Sequence, residues 1–127
     1  MRSAEFGMRN EGVRELQDRI KRFGLAIVRL ADKLSGGRSP AVIANQMVRS
    51  GTSAGANYRA ACRARSRAEF VSKVGIVEEE LDETLYWLEV SLEAGFLSRI
   101  DADGLMHEGN ELLAIAVSSI RTAKGRS

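Results

Sequence analysis

The chain holds one cysteine, one histidine, one proline and few aromatics, and each shortage excludes something. A single cysteine, Cys62, cannot close an intramolecular disulfide, so the expected compartment is a reducing one, the cytoplasm. One histidine, His107, leaves no Glu-x-x-His pair, because position 104 is glycine. A di-metal bundle site of that design is therefore not expected. No G-x-S-x-G turn, phosphate loop or nucleophile–base pattern stands in the sequence, so no enzyme is expected and no cofactor. No stretch approaches 18 uncharged apolar residues, which excludes a helical membrane span as a reading. The opening run MRSAEFG has no apolar core of a secretory signal. Met1 to Gly7 reads as a vector-derived tail, with residues 8–127 forming one domain.

Long runs of helical periodicity fill the space that proline and turn residues leave. Val13, Leu16, Ile20, Phe23, Ile27, Leu30 and Leu34 recur at alternating steps of three and four, with charges between them. The Ser35–Pro40 segment, SGGRSP, breaks that helix, with Ser39 expected to cap the next and Pro40 to suit its first turn. A second helix follows on Ile43, Met47, Ser50, Ala54, Tyr58 and Ala61. Ser66-Arg67-Ala68-Glu69 has the capping-box spacing and opens a third helix to about Ala94, with Gly95 as its stop. Asp101 or Asp103 is expected to cap a fourth helix reaching about Ala123, weakened midway by Gly109. Four amphipathic helices with short links predict an all-α, antiparallel up-and-down four-helix bundle.

The charge is divided along the chain. Residues 1–73 carry fifteen Lys and Arg against six Asp and Glu, and residues 74–127 carry four against eleven. The overall charge of +2 conceals that split. It implies an anionic partner for the first half, mutual pairing of the halves, or both.

The densest cationic segment is also the richest in small residues. VRSGTSAGANYRAACRARSR, residues 48–67, holds Arg49, Arg59, Arg63, Arg65 and Arg67 and no acid. Gly51 and Gly55 each cost about 1 kcal/mol relative to alanine inside a helix. Close approach of a neighbouring helix is the physical offset, with Ser50, Ser53 and Ala54 on the same segment. Arg59 and Arg63 stand one turn apart, and Arg67 extends their face if the helix continues. Arg14, Arg19, Lys21, Arg22 and Arg29 add to the cationic face from the first helix. Such a face can neutralise phosphates with a salt-sensitive affinity. The alternative is pairing with the acids of the third helix, Glu78, Glu79, Glu80, Asp82 and Glu83. Cys62 reads as a small packed residue, although Arg59, Arg63 and Arg65 could make it reactive. His107 with Glu108 and Glu111 reads as a solvated face rather than a metal site.

Two motifs carry a resemblance. Gln46 to Tyr58, QMVRSGTSAGANY, resembles the Q-x-x-R-S-x-T-S-x-G-A-N-Y signature of the four-helix-bundle proteins encoded by intervening sequences in bacterial 23S ribosomal RNA genes. Glu80, Glu83-Thr84 and Tyr86-Trp87-Leu88 resemble that family's E-x-x-E-T-x-Y-W-L. The likeness spans roughly residues 12 to 120. It implies a closed homopentamer, no known enzymatic activity, and RNA binding inferred from genomic position. A related branch serves diversity-generating retroelements and implies a reverse transcriptase as partner. The family pattern has an apolar residue where Ala54 stands, Glu where Ala60 stands and often Lys where Glu79 stands. The expected nucleic-acid face is Arg22, Arg29, Arg49, Arg59, Arg63, Arg65 and Arg67. The expected packing or assembly set is Ser50, Gly51, Ser53, Gly55, Asn57, Tyr58, Glu83, Tyr86 and Trp87.

Overall fold

The computed structural model describes residues 10–34 and 36–125, so the expected tail Met1–Gly7 lies outside the described residues. Among these residues four α-helices follow one another: α1 (Asn10–Ala31), α2 (Arg38–Ala61), α3 (Arg67–Glu93) and α4 (Arg99–Ala123). Each packs on its neighbours in sequence, and the α1–α4 seam closing the bundle is the thinnest. This is the up-and-down architecture that short links impose on amphipathic helices. No described helix is long and apolar enough to cross a membrane.

The seam of α1 packs as its spacing requires. Leu16, Ile20, Phe23, Ile27 and Leu30 are buried against Met47, Ala54 and Tyr58 of α2 and the apolar row of α3. That row is Phe70, Val74, Val77, Leu81, Leu85 and Leu88, with Leu112 and Ala116 joining from α4. Burying each of the larger side chains contributes about 1.5–3 kcal/mol. Leu34 lies beyond the end of α1 yet still packs, half-buried, against the core.

Helix ends follow local chemistry, with two departures from expectation. At α3 the Ser66 hydroxyl accepts from Glu69 N–H at 3.0 Å, and a Glu69 carboxylate oxygen accepts from Arg65 N–H at 3.1 Å. Gly95 ends α3 with φ +78°. Gly95 N–H donates to Leu92 C=O at 3.1 Å and Phe96 N–H to Ser91 C=O at 2.8 Å, a Schellman closure. The α2 cap is Gly37, not Ser39, because its φ of 127° turns the chain where a side chain would strain; Pro40 does sit in the first turn. The α4 cap is Ser98, not Asp101 or Asp103. Its hydroxyl accepts from Asp101 N–H at 3.3 Å and lies 3.1 Å from the Asp101 carboxylate. Ser-x-x-Asp is itself a capping pattern, and it starts the helix three residues early.

The glycines divide by what they touch. A Cβ on Gly24 would meet the Gly51 carbonyl oxygen at 2.9 Å, and one on Gly51 would meet Ile27 Cγ2 at 2.9 Å. Here α1 and α2 approach to backbone contact. A Cβ on Gly55 would find nothing nearer than 3.8 Å. Gly109, expected as a weak point, is a packing position instead. It is buried, and a Cβ there would meet Leu85 at 2.8 Å and Phe23 at 3.1 Å.

One polar contact lies deep in the α2–α3 interface. Thr84 Oγ1 stands 2.8 Å from Ser50 Oγ and 2.8 Å from Glu80 C=O, and Ser50 Oγ stands 3.3 Å from Met47 C=O. Each hydroxyl has one proton. The pair is satisfied either as Thr84 to Ser50 to Met47 or as Ser50 to Thr84 to Glu80. Both side chains are fully buried, so the contact ties α2 and α3 at one register.

Gly51→Ala should cost about 1–3 kcal/mol in urea or thermal unfolding through overpacking. Gly55→Ala should instead stabilise, by up to about 1 kcal/mol of helix propensity. Ser50→Ala and Thr84→Val should each cost about 1 kcal/mol. Their double variant should cost less than the sum, measured as a double-mutant cycle, because the two hydroxyls lose each other only once.

Candidate nucleic-acid interface

The structure separates the arginines into two groups. Arg49 on α2 is held by two acids of α3. Its Nη1 donates to Glu80 at 2.9 Å, its Nη2 donates to Glu83, and its Nε donates to Gln46 at 3.2 Å. Glu83 also accepts from Trp87 Nε1 at 3.1 Å, and Tyr86 meets Trp87 edge-on at a centroid distance of 5.1 Å. The Arg49 guanidinium, then the Trp87 indole N–H, hold the Glu83 carboxyl below its usual range. The same carboxylates raise Arg49 further above its ordinary value, Glu83 most. Arg49 thus stands apart from the other candidates, with its charge already engaged.

Arg19 is engaged as well, and by residues far along the chain. It donates to Glu108 through Nε at 3.2 Å and Nη2 at 2.7 Å, and to Glu111 at 2.9 Å. Its hydrogen bonds to Glu108 and then to Glu111 raise its pKa. The fork ties α1 to α4 across the thinnest seam. Spacing along the sequence carried no signal for this partnership, since 89 residues separate Arg19 from Glu108. Lys33 and Asp101, 3.3 Å apart, add a second link near one end.

The remaining candidates form the second group. Arg22, Arg29, Arg59, Arg63, Arg65 and Arg67 are exposed, and no carboxylate within ion-pair distance faces any of them among the described residues. Arg59 lies in the last turn of α2. Arg63 follows one turn later, where Arg63 N–H still donates to Ala60 C=O at 3.1 Å. Arg67 does not extend that face by helix continuation: α2 ends at Ala61, and Arg67 is the first residue of α3 after the chain reverses. Four exposed arginines therefore gather within nine residues around the α2–α3 turn.

Three of the nine packing candidates fall inside the protomer. Ser50, Gly51 and Tyr58 are buried in the bundle. Burial, with a smaller contribution from Cys62, pushes the Tyr58 phenol far above its ordinary value. Asn57 donates to Ser53 C=O and lies 3.0 Å from Ser53 Oγ, closing one turn of α2 on itself. Gly55 and Glu83 are half-buried, and Tyr86 is 56% exposed. His107 is exposed, 3.7 Å from Glu111, and among the described residues no three His, Cys, Asp or Glu gather as metal ligands.

A groove of about 460 Å³ runs along the outside of the α1–α2 contact. Gly24, Gly51, Gly55 and Ala56 line it, with Leu25 and Val28 toward one end and Lys21, Arg59 and Arg63 toward the other. Sequence reading located the small residues and the arginines but not that Arg59 and Arg63 line the depression beside them. That feature arises because α1 contributes Gly24 opposite the glycines of α2.

The depressed Glu83 pKa gives a testable sign. The ionised, paired form is favoured by folding, so its contribution is present above the unfolded carboxylate value near 4.5 and is lost as pH falls through the lower folded value. Glu83→Gln should therefore flatten the acid limb of stability against pH, read from urea midpoints between about pH 5 and pH 2.

The match to known proteins runs over most of this framework. Residues 15–118 match the model of the 23S rRNA-intervening sequence protein family. A crystal structure of a protein of unknown function from the S23 ribosomal protein family of Bacteroides thetaiotaomicron superposes with a TM-score of 0.78 at 34% identity. That likeness covers 84% of this chain and 98% of the other. Among curated proteins no relative matches. With its two motifs placed on α2 and α3 of a four-helix bundle, the chain belongs to the 23S rRNA intervening sequence protein family.

Proposed function

We propose that this protein is a non-enzymatic, homo-oligomeric bundle that binds nucleic acid, RNA in the first place, through the arginines around the α2–α3 turn. One observation carries the reading. Arg59, Arg63, Arg65 and Arg67 stand exposed and, among the described residues, without ion pairs, while Arg19 and Arg49 are held by carboxylates. Guanidinium groups left free in this way suit phosphate oxygens, to which they donate in forked pairs. The family description, which ties these proteins to 23S rRNA genes, favours RNA over other polyanions. Rotational symmetry would repeat the patch once per protomer, and several modest sites on one assembly gain avidity without new contacts. A pentamer is the assembly the family resemblance implies.

A second reading keeps the same arginines for assembly or for a protein partner such as a reverse transcriptase. Glu79 and Asp82 favour it, because both are exposed on α3 and neither has an ion pair among the described residues. One protomer's arginines would then meet the acids of the next.

The triple variant Arg59→Gln, Arg63→Gln, Arg67→Gln separates the two. On the first reading, its affinity for single-stranded RNA falls, and the slope of log affinity against log salt shrinks by about 2. Its sedimentation mass stays that of the wild type. Unchanged RNA binding with a reduced mass would support the assembly reading instead.

A further inference from the structure

We infer that the α1–α2 groove receives an unstacked base of a single RNA strand whose phosphates lie on Arg59 and Arg63. The inference rests on the nucleic-acid reading above and names the part of the ligand that the groove would take. Its volume of about 460 Å³ falls in the range of pockets that hold small organic ligands.

The two ends of the groove differ in chemistry. The register follows from the close contacts: Gly24 faces Gly51, and Lys21 faces Gly55. Arg59, one turn beyond Gly55, therefore stands near Gln17 and Asp18 of α1, which line the same groove. Toward the other end lie Leu25, 46% exposed, and Val28. From Lys21 to Val28 is roughly 10 Å along the helix axis. Cations at one end and apolar side chains beyond them match the polarity of a nucleotide, charged at its phosphate and flat and apolar on its base face.

The chemistry of each wall supports that orientation. Glycines and alanine on the floor leave room for a flat ring to lie against two helices. An arginine plane can stack on a base as well as bind its phosphate. Gln17, beside Arg59, can donate to a phosphate or ribose oxygen, while Asp18 offers only acceptors and disfavours phosphate on its side. Exposed Leu25 gives the groove an apolar surface that a plain phosphate-binding patch would not need. Duplex RNA keeps its bases paired and stacked, so it can use the arginines and not the groove.

Ala56→Leu tests this without disturbing the core, because Ala56 is exposed and lines the groove. The probes are a short oligouridylate carrying one 2-aminopurine and a duplex RNA of equal length. The expected result is an affinity for the single strand about tenfold weaker than wild type. Duplex affinity should be unchanged, and the 2-aminopurine emission change seen with wild type should be lost. Arg59→Gln with Arg63→Gln should weaken both probes. Wild-type single-strand affinity in Ala56→Leu would overturn the groove while leaving the arginine reading intact. A changed sedimentation mass in Ala56→Leu would also overturn it, assigning the groove to another protein surface. A wild-type protein that binds neither probe would sink the nucleic-acid reading and the groove together.

Discussion

The close contact of α1 and α2 is the constraint on which the rest of the molecule turns. Gly24 and Gly51 meet with no room for a methyl group between them. At that distance side chains cannot slide past one another, so the register of the two helices is set. Ile27 then fills the space over Gly51, and Ile20 and Phe23 point into the shared core. The glycine cost to helix propensity, about 1 kcal/mol each, is offset by backbone and side-chain packing that a larger residue would prevent. The groove outside the contact, and the place of Arg59 and Arg63 beside it, are consequences of the same register.

The polar contacts complete what apolar packing begins. Apolar rows determine which face of a helix is buried but tolerate small shifts along the axis. The Ser50–Thr84 pair does not, because two buried hydroxyls must find each other and their backbone acceptors. On the surface, Arg49 spans to Glu80 and Glu83, and Arg19 spans to Glu108 and Glu111. Ion pairs that stay open to solvent in this way contribute little stability each. Their larger effect is on the charge map, since they remove two arginines from the surface available to a polyanion. What remains includes Arg22 and Arg29 on α1 and the four arginines around the α2–α3 turn.

Much of the bundle was legible from residue order. The seam of α1, the Ser66 cap and the Gly95 stop all reflect local periodicity or local backbone chemistry, and each stands where expected. The misplaced caps at Gly37 and Ser98 were failures between two local signals of similar strength, serine or aspartate against glycine or an earlier serine. Gly109 failed for another reason. Its role depends on Leu85 and Phe23 arriving from two other helices, and nothing adjacent in sequence announces them.

Sequence alone determined the helix count, the buried faces and the family, because 3.6-residue periodicity and two long motifs are written along one dimension. Which cations are free was decided only by the tertiary structure. An arginine and a glutamate carry the same charges whether they meet or not. Their meeting depends on helix register and on loops that bring residues 19 and 108, or 49 and 83, to one place. The groove belongs to the same class of property, since it exists only between two helices held at glycine distance.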